Sequence, residues 1–194
     1  MKIILASKSP RRRKMLKELG IKYKLWAGEA DESVDREYRP DVLVRLLAKR
    51  KASACAKDIA DNNTLIISAD TVVALNGKIL GKPRDDEDAF NMLRSMSGTT
   101  HYVYSGVCAI YNGKAVCASE KTKIKFRDIS DKEIERYLAT GEHKDKAGSY
   151  GIQEKGGYFV ESVCGDINNV VGLPVLKLRN MILDAFGADI FNLD

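Results

Sequence analysis

Apolar and polar positions divide the chain into short, well-punctuated segments. Residues 2–6 form an apolar run that stops at Ser7-Lys8-Ser9-Pro10, which predicts a buried strand and a tight turn. A helix should follow at once, with Ser9 as N-cap, Pro10 as first residue, Met15, Leu16 and Leu19 on its apolar face and Gly20 at its end. After an irregular acidic stretch over 29–37, Pro40 opens a second helix in which Val42, Leu43, Leu46 and Leu47 recur at helical spacing, with Lys49, Arg50 and Lys51 near its middle. Residues 64–69 read as a second buried strand, interrupted by Asp70-Thr71 before residues 72–75 and the turn Asn76-Gly77. Asp85 can cap a helix carrying Ala89, Phe90, Leu93 and Met96, with Gly98 as its stop. Residues 102–111 and 114–126 flank Asn112-Gly113 and predict a long antiparallel hairpin. Ser130 and Glu133 form a capping box for a helix through Leu138, and residues 174–186 predict a last helix ended by Gly187. Strands alternating with helices, then a hairpin, define an α/β fold with a mixed twisted sheet and flanking helices.

Composition narrows the class. The 194 residues correspond to one domain, 1–194, or two closely packed lobes. With 44% hydrophobic and 30% charged residues, global disorder is excluded. No uncharged apolar run is long enough for a bilayer, and the short apolar start followed by basic residues is no signal peptide, so a soluble cytoplasmic protein is expected. Cys55, Cys108, Cys117 and Cys164 lack a CxxC pair and have only His101 and His143 as companions, so buried free thiols are expected, rather than disulfides or a zinc site. Residues 1–60 carry 16 Lys+Arg against 8 Asp+Glu, whereas the remainder carries 16 against 19. This basic front end suits an anionic partner: nucleic acid, a membrane surface or a phosphorylated small molecule.

Three constellations carry candidate chemistry. Ser7-Lys8-Ser9-Pro10-Arg11-Arg12-Arg13 places hydroxyls, guanidinium groups and free helix N–H groups at one turn, a phosphate cradle without Walker or dinucleotide fingerprints. Successive helical residues turn by about 100°, so Arg11 and Arg12 are expected inward and Arg13 outward. Asp70, at the end of a buried strand, can hold Mg²⁺ or activate a water, and Lys82, one hairpin later, can return beside it to neutralise a phosphate. Residues 148–157 hold four glycines in ten positions, which allow close backbone approach to a ligand, and Gln153 offers both a donor and an acceptor to a base edge. The acidic run Glu29, Asp31 and Glu32 can also lend a carboxylate to a metal.

Jointly these segments resemble the Maf family of nucleoside triphosphate pyrophosphatases, also called septum-formation-protein-like. The resemblance rests on Leu5-Ala6-Ser7-Lys8-Ser9-Pro10-Arg11-Arg12, Lys51-Ala52, Ala69-Asp70-Thr71-Val72-Val73, Gly81-Lys82-Pro83-Arg84, Met96-Ser97-Gly98, Asp145-Lys146-Ala147-Gly148, Tyr150-Gly151-Ile152-Gln153 and Val170-Val171-Gly172-Leu173-Pro174. It implies two lobes around a cleft, a fold like that of inosine triphosphate pyrophosphatases, a requirement for Mg²⁺ or Mn²⁺, a homodimer, and hydrolysis of a nucleoside triphosphate to monophosphate and pyrophosphate. By the same resemblance Asp70 is the catalytic acid or base, Ser7, Arg12, Lys51 and Lys82 hold phosphates, and Glu32 joins Asp70 at the metal. Arg11, Thr71 and Gln153 match the branch that acts on dTTP and UTP, with modified pyrimidine triphosphates as further candidates for a house-cleaning enzyme. Lys8, where a small or neutral residue is common, and Ile167, where an aromatic is common, depart from the pattern. The competing readings are a basic nucleic-acid binder, weakened by having only Tyr23, Trp26 and Tyr38 as stacking groups in the basic segment, and a non-catalytic cell-division regulator. Under the enzyme reading neither nucleic acid nor a membrane is required.

Overall fold

The computed structural model describes residues 1–191. Strand β1 (Lys2–Ala6) leads to helix α1 (Pro10–Glu18), strand β2 (Lys24–Leu25) and helix α2 (Pro40–Ile59). Strands β3 (Thr64–Leu75) and β4 (Lys78–Leu80) precede helix α3 (Asp86–Met96) and the strands β5 (Thr100–Tyr111) and β6 (Lys114–Phe126). Helix α4 (Asp131–Leu138), strand β7 (Val160–Cys164) and helices α5 (Ile167–Val171) and α6 (Val175–Phe186) complete the series. The sheet has seven strands in the order β2-β1-β3-β5-β6-β7, with β4 beside β3. Strand β1 runs parallel to β2 and β3, whereas β4 is antiparallel to β3 and β7 to β6, so the sheet is mixed as expected.

Local chemistry fixes most boundaries. Asp85 accepts a hydrogen bond from the Asp88 N–H at 2.7 Å and starts α3, and the Ser130 N–H donates to Glu133 at 2.9 Å at the start of α4. Gly20 and Gly187 take the left-handed conformation that ends α1 and α6. Ser9 occupies the N-cap position of α1, but its side chain makes no capping bond; Pro10 at N1 suffices to set the helical φ. Leu19 is exposed, so the inner face of α1 is Arg12, Met15 and Leu16. Asp70 does not end a strand: β3 continues through it to Leu75.

The chain divides into two compact units. The first comprises Met1–Asp70, Ser105–Glu120 and the segment from Gly172 onward. Its core packs Ile4, Ala6 and Ile66 against Ala48, Ala52 and Cys55 of α2, with Cys108 from β5. Gly106 lets β5 approach α2 closely, since a Cβ there would overlap the Val44 backbone. Cys108 and Cys117 form a disulfide, contrary to the expectation of free thiols. A two-residue turn at 112–113 sets these two positions directly opposite each other. Cys164 is exposed rather than buried, and Cys55 remains a buried thiol whose pKa is pushed up to about 11, first by burial and then by Asp58.

The second unit comprises Thr71–Tyr104 and Lys121–Val171. Its core joins Leu93 and Met96 of α3 to Ile134 and Tyr137 of α4 through Phe126, Tyr150 and Phe159, whose rings meet edge to face. His101 lies in this core, its Nε2 2.8 Å from the Tyr150 hydroxyl, and burial pushes its pKa down to about 4 from 6.5. A folded-state value below the unfolded one means that the unfolded chain takes up the proton first. His101 therefore costs no stability above about pH 6.5, and its contribution falls as pH drops from there through about 4, by up to about 3 kcal/mol. His101→Phe should flatten this part of the acid response, read as the difference in urea midpoint between pH 7.5 and 4.5 for variant and parent, with ~2 kcal/mol as a clear signal. An unchanged difference would show that His101 protonates as readily folded as unfolded.

Candidate active site

The first unit brings Ser7, Arg12, Glu32, Lys51 and Asp70 together. Ser7 follows β1 directly, and its Oγ accepts from the Ser9 N–H at 3.3 Å and from Arg12 Nη1 at 3.1 Å. Arg12, on the inner face of α1 and only 8% exposed, donates from Nη1 to the Ala69 carbonyl at 2.9 Å and from Nε to the Gly172 carbonyl at 2.7 Å. One guanidinium thus ties the turn after β1, the residue before Asp70 and the entry to α6. Burial lowers the Arg12 pKa, Asp70 raises it, Arg11 lowers it further and Glu32 raises it. Arg11 and Arg13 are both half-buried, so Arg12 alone points fully inward and the expected contrast between 11 and 13 is not seen.

Asp70 is presented from the middle of β3, with 8% of its surface exposed. Its Oδ1 meets Lys51 Nζ at 2.6 Å, and the same ammonium lies 3.2 Å from Glu32 Oε2. Lys51 stands three residues beyond Ala48 on α2, and the Ala48 carbonyl accepts from Ser68 Oγ of β3 at 2.6 Å. This bond fixes the height of α2 over the strand. Arg50, next to Lys51, donates to the Ser33 carbonyl and anchors the loop that carries Glu32. Lys8 is exposed and engages Glu29 at 2.9 Å.

Two carboxylates converging on one ammonium form a cation position, and this tests the site against a divalent metal. Mg²⁺ and Mn²⁺ are hard cations, often held by one or two carboxylates with the remaining ligands from substrate phosphates and water. Asp70 and Glu32 fit that donor set. Among the described residues no group of three or more His, Cys, Asp or Glu forms a closed metal cage.

The remaining candidates belong to the second unit. Thr71 follows Asp70 on β3 and is half-buried. Lys82 is exposed and lies 3.8 Å from Asp145. Gln153 is exposed on a turn between Gly151 and Glu154. The glycines around it serve the packing of the loop on itself: a Cβ on Gly156 would stand 3.0 Å from the Gly151 backbone. Ile167 is exposed at the start of α5.

Sequence reasoning missed the carbonyls of Ala69 and Gly172 as partners of Arg12. Backbone acceptors leave no side-chain signature; the available hint was Gly172, which adopts a positive φ of 118° beside Leu173-Pro174.

The sequence matches the family described as Maf-like protein over residues 2–185. It is 44% identical over 190 residues to a dTTP/UTP pyrophosphatase of Pelotomaculum thermopropionicum, covering 97% of this chain and 98% of that one. A dTTP/UTP pyrophosphatase of Dictyoglomus turgidum is 45% identical over 188 residues, covering 95% and 96%, and one of Bacillus cereus is 43% identical over 177 residues, covering 91% and 92%. Among solved structures, the Ham1 protein of Staphylococcus aureus aligns with a TM-score of 0.48 and 17% identity, over 66% of this chain and 73% of that one. This chain belongs to the Maf-like protein family.

Proposed function

We propose that this protein is a nucleoside triphosphate pyrophosphatase that hydrolyses dTTP and UTP, and modified pyrimidine triphosphates, to the monophosphate and pyrophosphate. The observation that carries the proposal is the fixed group of Asp70, Lys51, Glu32, Arg12 and Ser7, supported by full-length relatives that bear this activity in their names. Attack of water at the α-phosphorus of a polyanion needs a carboxylate to orient or deprotonate the water and several cations to offset charge. Asp70 supplies the carboxylate, and Lys51, Arg12 and Lys82 supply cations, with the Ser7 hydroxyl as a further donor. Arg11, Thr71 and Gln153 take the base-selecting roles that the resemblance implies. A bound Mg²⁺ or Mn²⁺, held by Asp70 and Glu32, would add charge neutralisation at the phosphates. A homodimer and a cytoplasmic location complete this reading; no helix among the described residues is long and apolar enough to cross a membrane.

Release of monophosphate and pyrophosphate across canonical and modified triphosphates, with Mg²⁺ and Mn²⁺ compared, tests the proposal. Preferential turnover of dTTP and UTP supports it. Salt-sensitive retention on DNA with no pyrophosphate released from any triphosphate would favour the nucleic-acid binder instead.

Lys51 provides a separate check on the cation position. Its ammonium lies between the two carboxylates, so it competes with a metal that arrives without nucleotide. Lys51→Met should bind Mn²⁺ alone at least about tenfold more tightly than the parent, measured by electron paramagnetic resonance. Equal affinities would remove Asp70 and Glu32 as a metal pair.

A further inference from the structure

Gln153 stands on an exposed turn, and a base-reading side chain on such a turn is selective only if the turn is held still. The flanking residues show what holds it. Glu142, just after the left-handed Gly141 beyond α4, directs its carboxylate back at the loop. Its Oε1 accepts from the Gly156 N–H at 3.0 Å and from the Tyr137 hydroxyl at 3.2 Å, and its Oε2 accepts from the Lys155 N–H at 3.0 Å. Burial first, and then the Glu142 charge, raise the Tyr137 pKa far above its usual value, so the phenol remains a donor. Lys146 closes the other side: its ammonium donates to the Glu142 carbonyl and pairs with Glu154, the residue after Gln153, at 3.2 Å. A Cβ on Gly151 would stand 2.8 Å from the Lys146 side chain, so this lysine also packs under the start of the turn.

We propose that Glu142 is the positioning residue for base selection: through the amides of Lys155 and Gly156 it fixes the turn that presents Gln153, without itself touching the nucleotide. The proposal rests on the reading of Gln153 as the residue that meets the base. The physical basis is the number of donors on one charged group. Hydrogen bonds to a carboxylate are the stronger kind, and replacing one oxygen by an amide NH₂ sets a donor against a backbone donor. The loop loses its anchor while its composition and volume are unchanged.

The test compares UTP with CTP, which share ribose and triphosphate and differ in the donor and acceptor pattern of the pyrimidine edge. In the full-length protein, Gln153→Ala and Glu142→Gln should each lower the ratio of kcat/KM for UTP over CTP by about tenfold, and the double variant should lower it no further. A general loss of structure depresses both substrates and leaves this ratio in place. Amide exchange at Lys155 and Gly156 should also quicken in Glu142→Gln. If Gln153→Ala lowers the ratio and Glu142→Gln does not, the positioning role is overturned. If Gln153→Ala itself leaves the ratio unchanged, the base reading of Gln153 fails and the proposal falls with it. Should Glu142→Gln not fold, Glu142→Asp keeps the charge but is too short to reach both amides; a parental ratio in that variant would equally overturn the role.

Discussion

Asp70→Asn is expected to lower turnover of dTTP and UTP by on the order of 10² to 10⁴, the range of a lost acid–base group, while the protein stays folded. Asparagine is close to aspartate in shape, so strand β3 keeps its path and its neighbours. What changes is chemical: the amide neither takes a proton from water nor balances the Lys51 ammonium 2.6 Å away. Glu32 stays beside Lys51, so the cation is not left alone and the structural cost is small. Steady-state pyrophosphate release beside a thermal melt separates the two effects. Near-parental turnover in a folded Asp70→Asn protein would remove Asp70 from the chemistry.

Arg12→Met should give the largest loss of stability among single changes in the cluster, about 3 kcal/mol, because it leaves the buried Ala69 and Gly172 carbonyls without their shared donor and takes a positive charge away from Asp70. Arg11→Met, on the half-buried flank of the same helix, should cost less than about 0.5 kcal/mol. Arg12→Lys is instructive as well. A lysine retains the charge, but its donors radiate from one nitrogen and cannot reproduce the fork that reaches Gly172 from Nε and Ser7 and Ala69 from Nη1, so most of the loss should persist. Urea midpoints at constant slope report all three values. Equal stabilities for Arg12→Met and Arg11→Met would show that the bonds to Ala69 and Gly172 add nothing to the fold.

Features with a local cause were legible in the sequence. The caps at Asp85 and Ser130–Glu133 and the terminal glycines at 20 and 187 act within a few residues of themselves, and the helices they bound stand where predicted. Strand β7 was not legible, because Val160–Cys164 is mostly exposed, lacks a buried alternation and exists through its pairing with β6. Asp70 looked like the end of a strand because one charge breaks an apolar run. The backbone ladder is indifferent to that charge, and Lys51, 19 residues away, neutralises it. The Cys108–Cys117 pair was hidden by a general expectation about thiols, although the hairpin register already placed the two side by side.

The site followed the same division. The residue types around Asp70 were visible as motifs, and their convergence was not, since it depends on α2 lying over β3 and on the acidic loop being held by Arg50. Glu142 had no signal at all. A glutamate after a helix-ending glycine is ordinary until the fold returns residues 155 and 156 to it.

The most direct test of the central claim is to hydrolyse UTP in water labelled with a heavy oxygen isotope and find, by mass spectrometry, which product carries the label. A water activated by Asp70 against the α-phosphorus delivers it to the monophosphate, with unlabelled pyrophosphate released. Label in pyrophosphate or in orthophosphate would place the attack at another phosphorus and contradict this account.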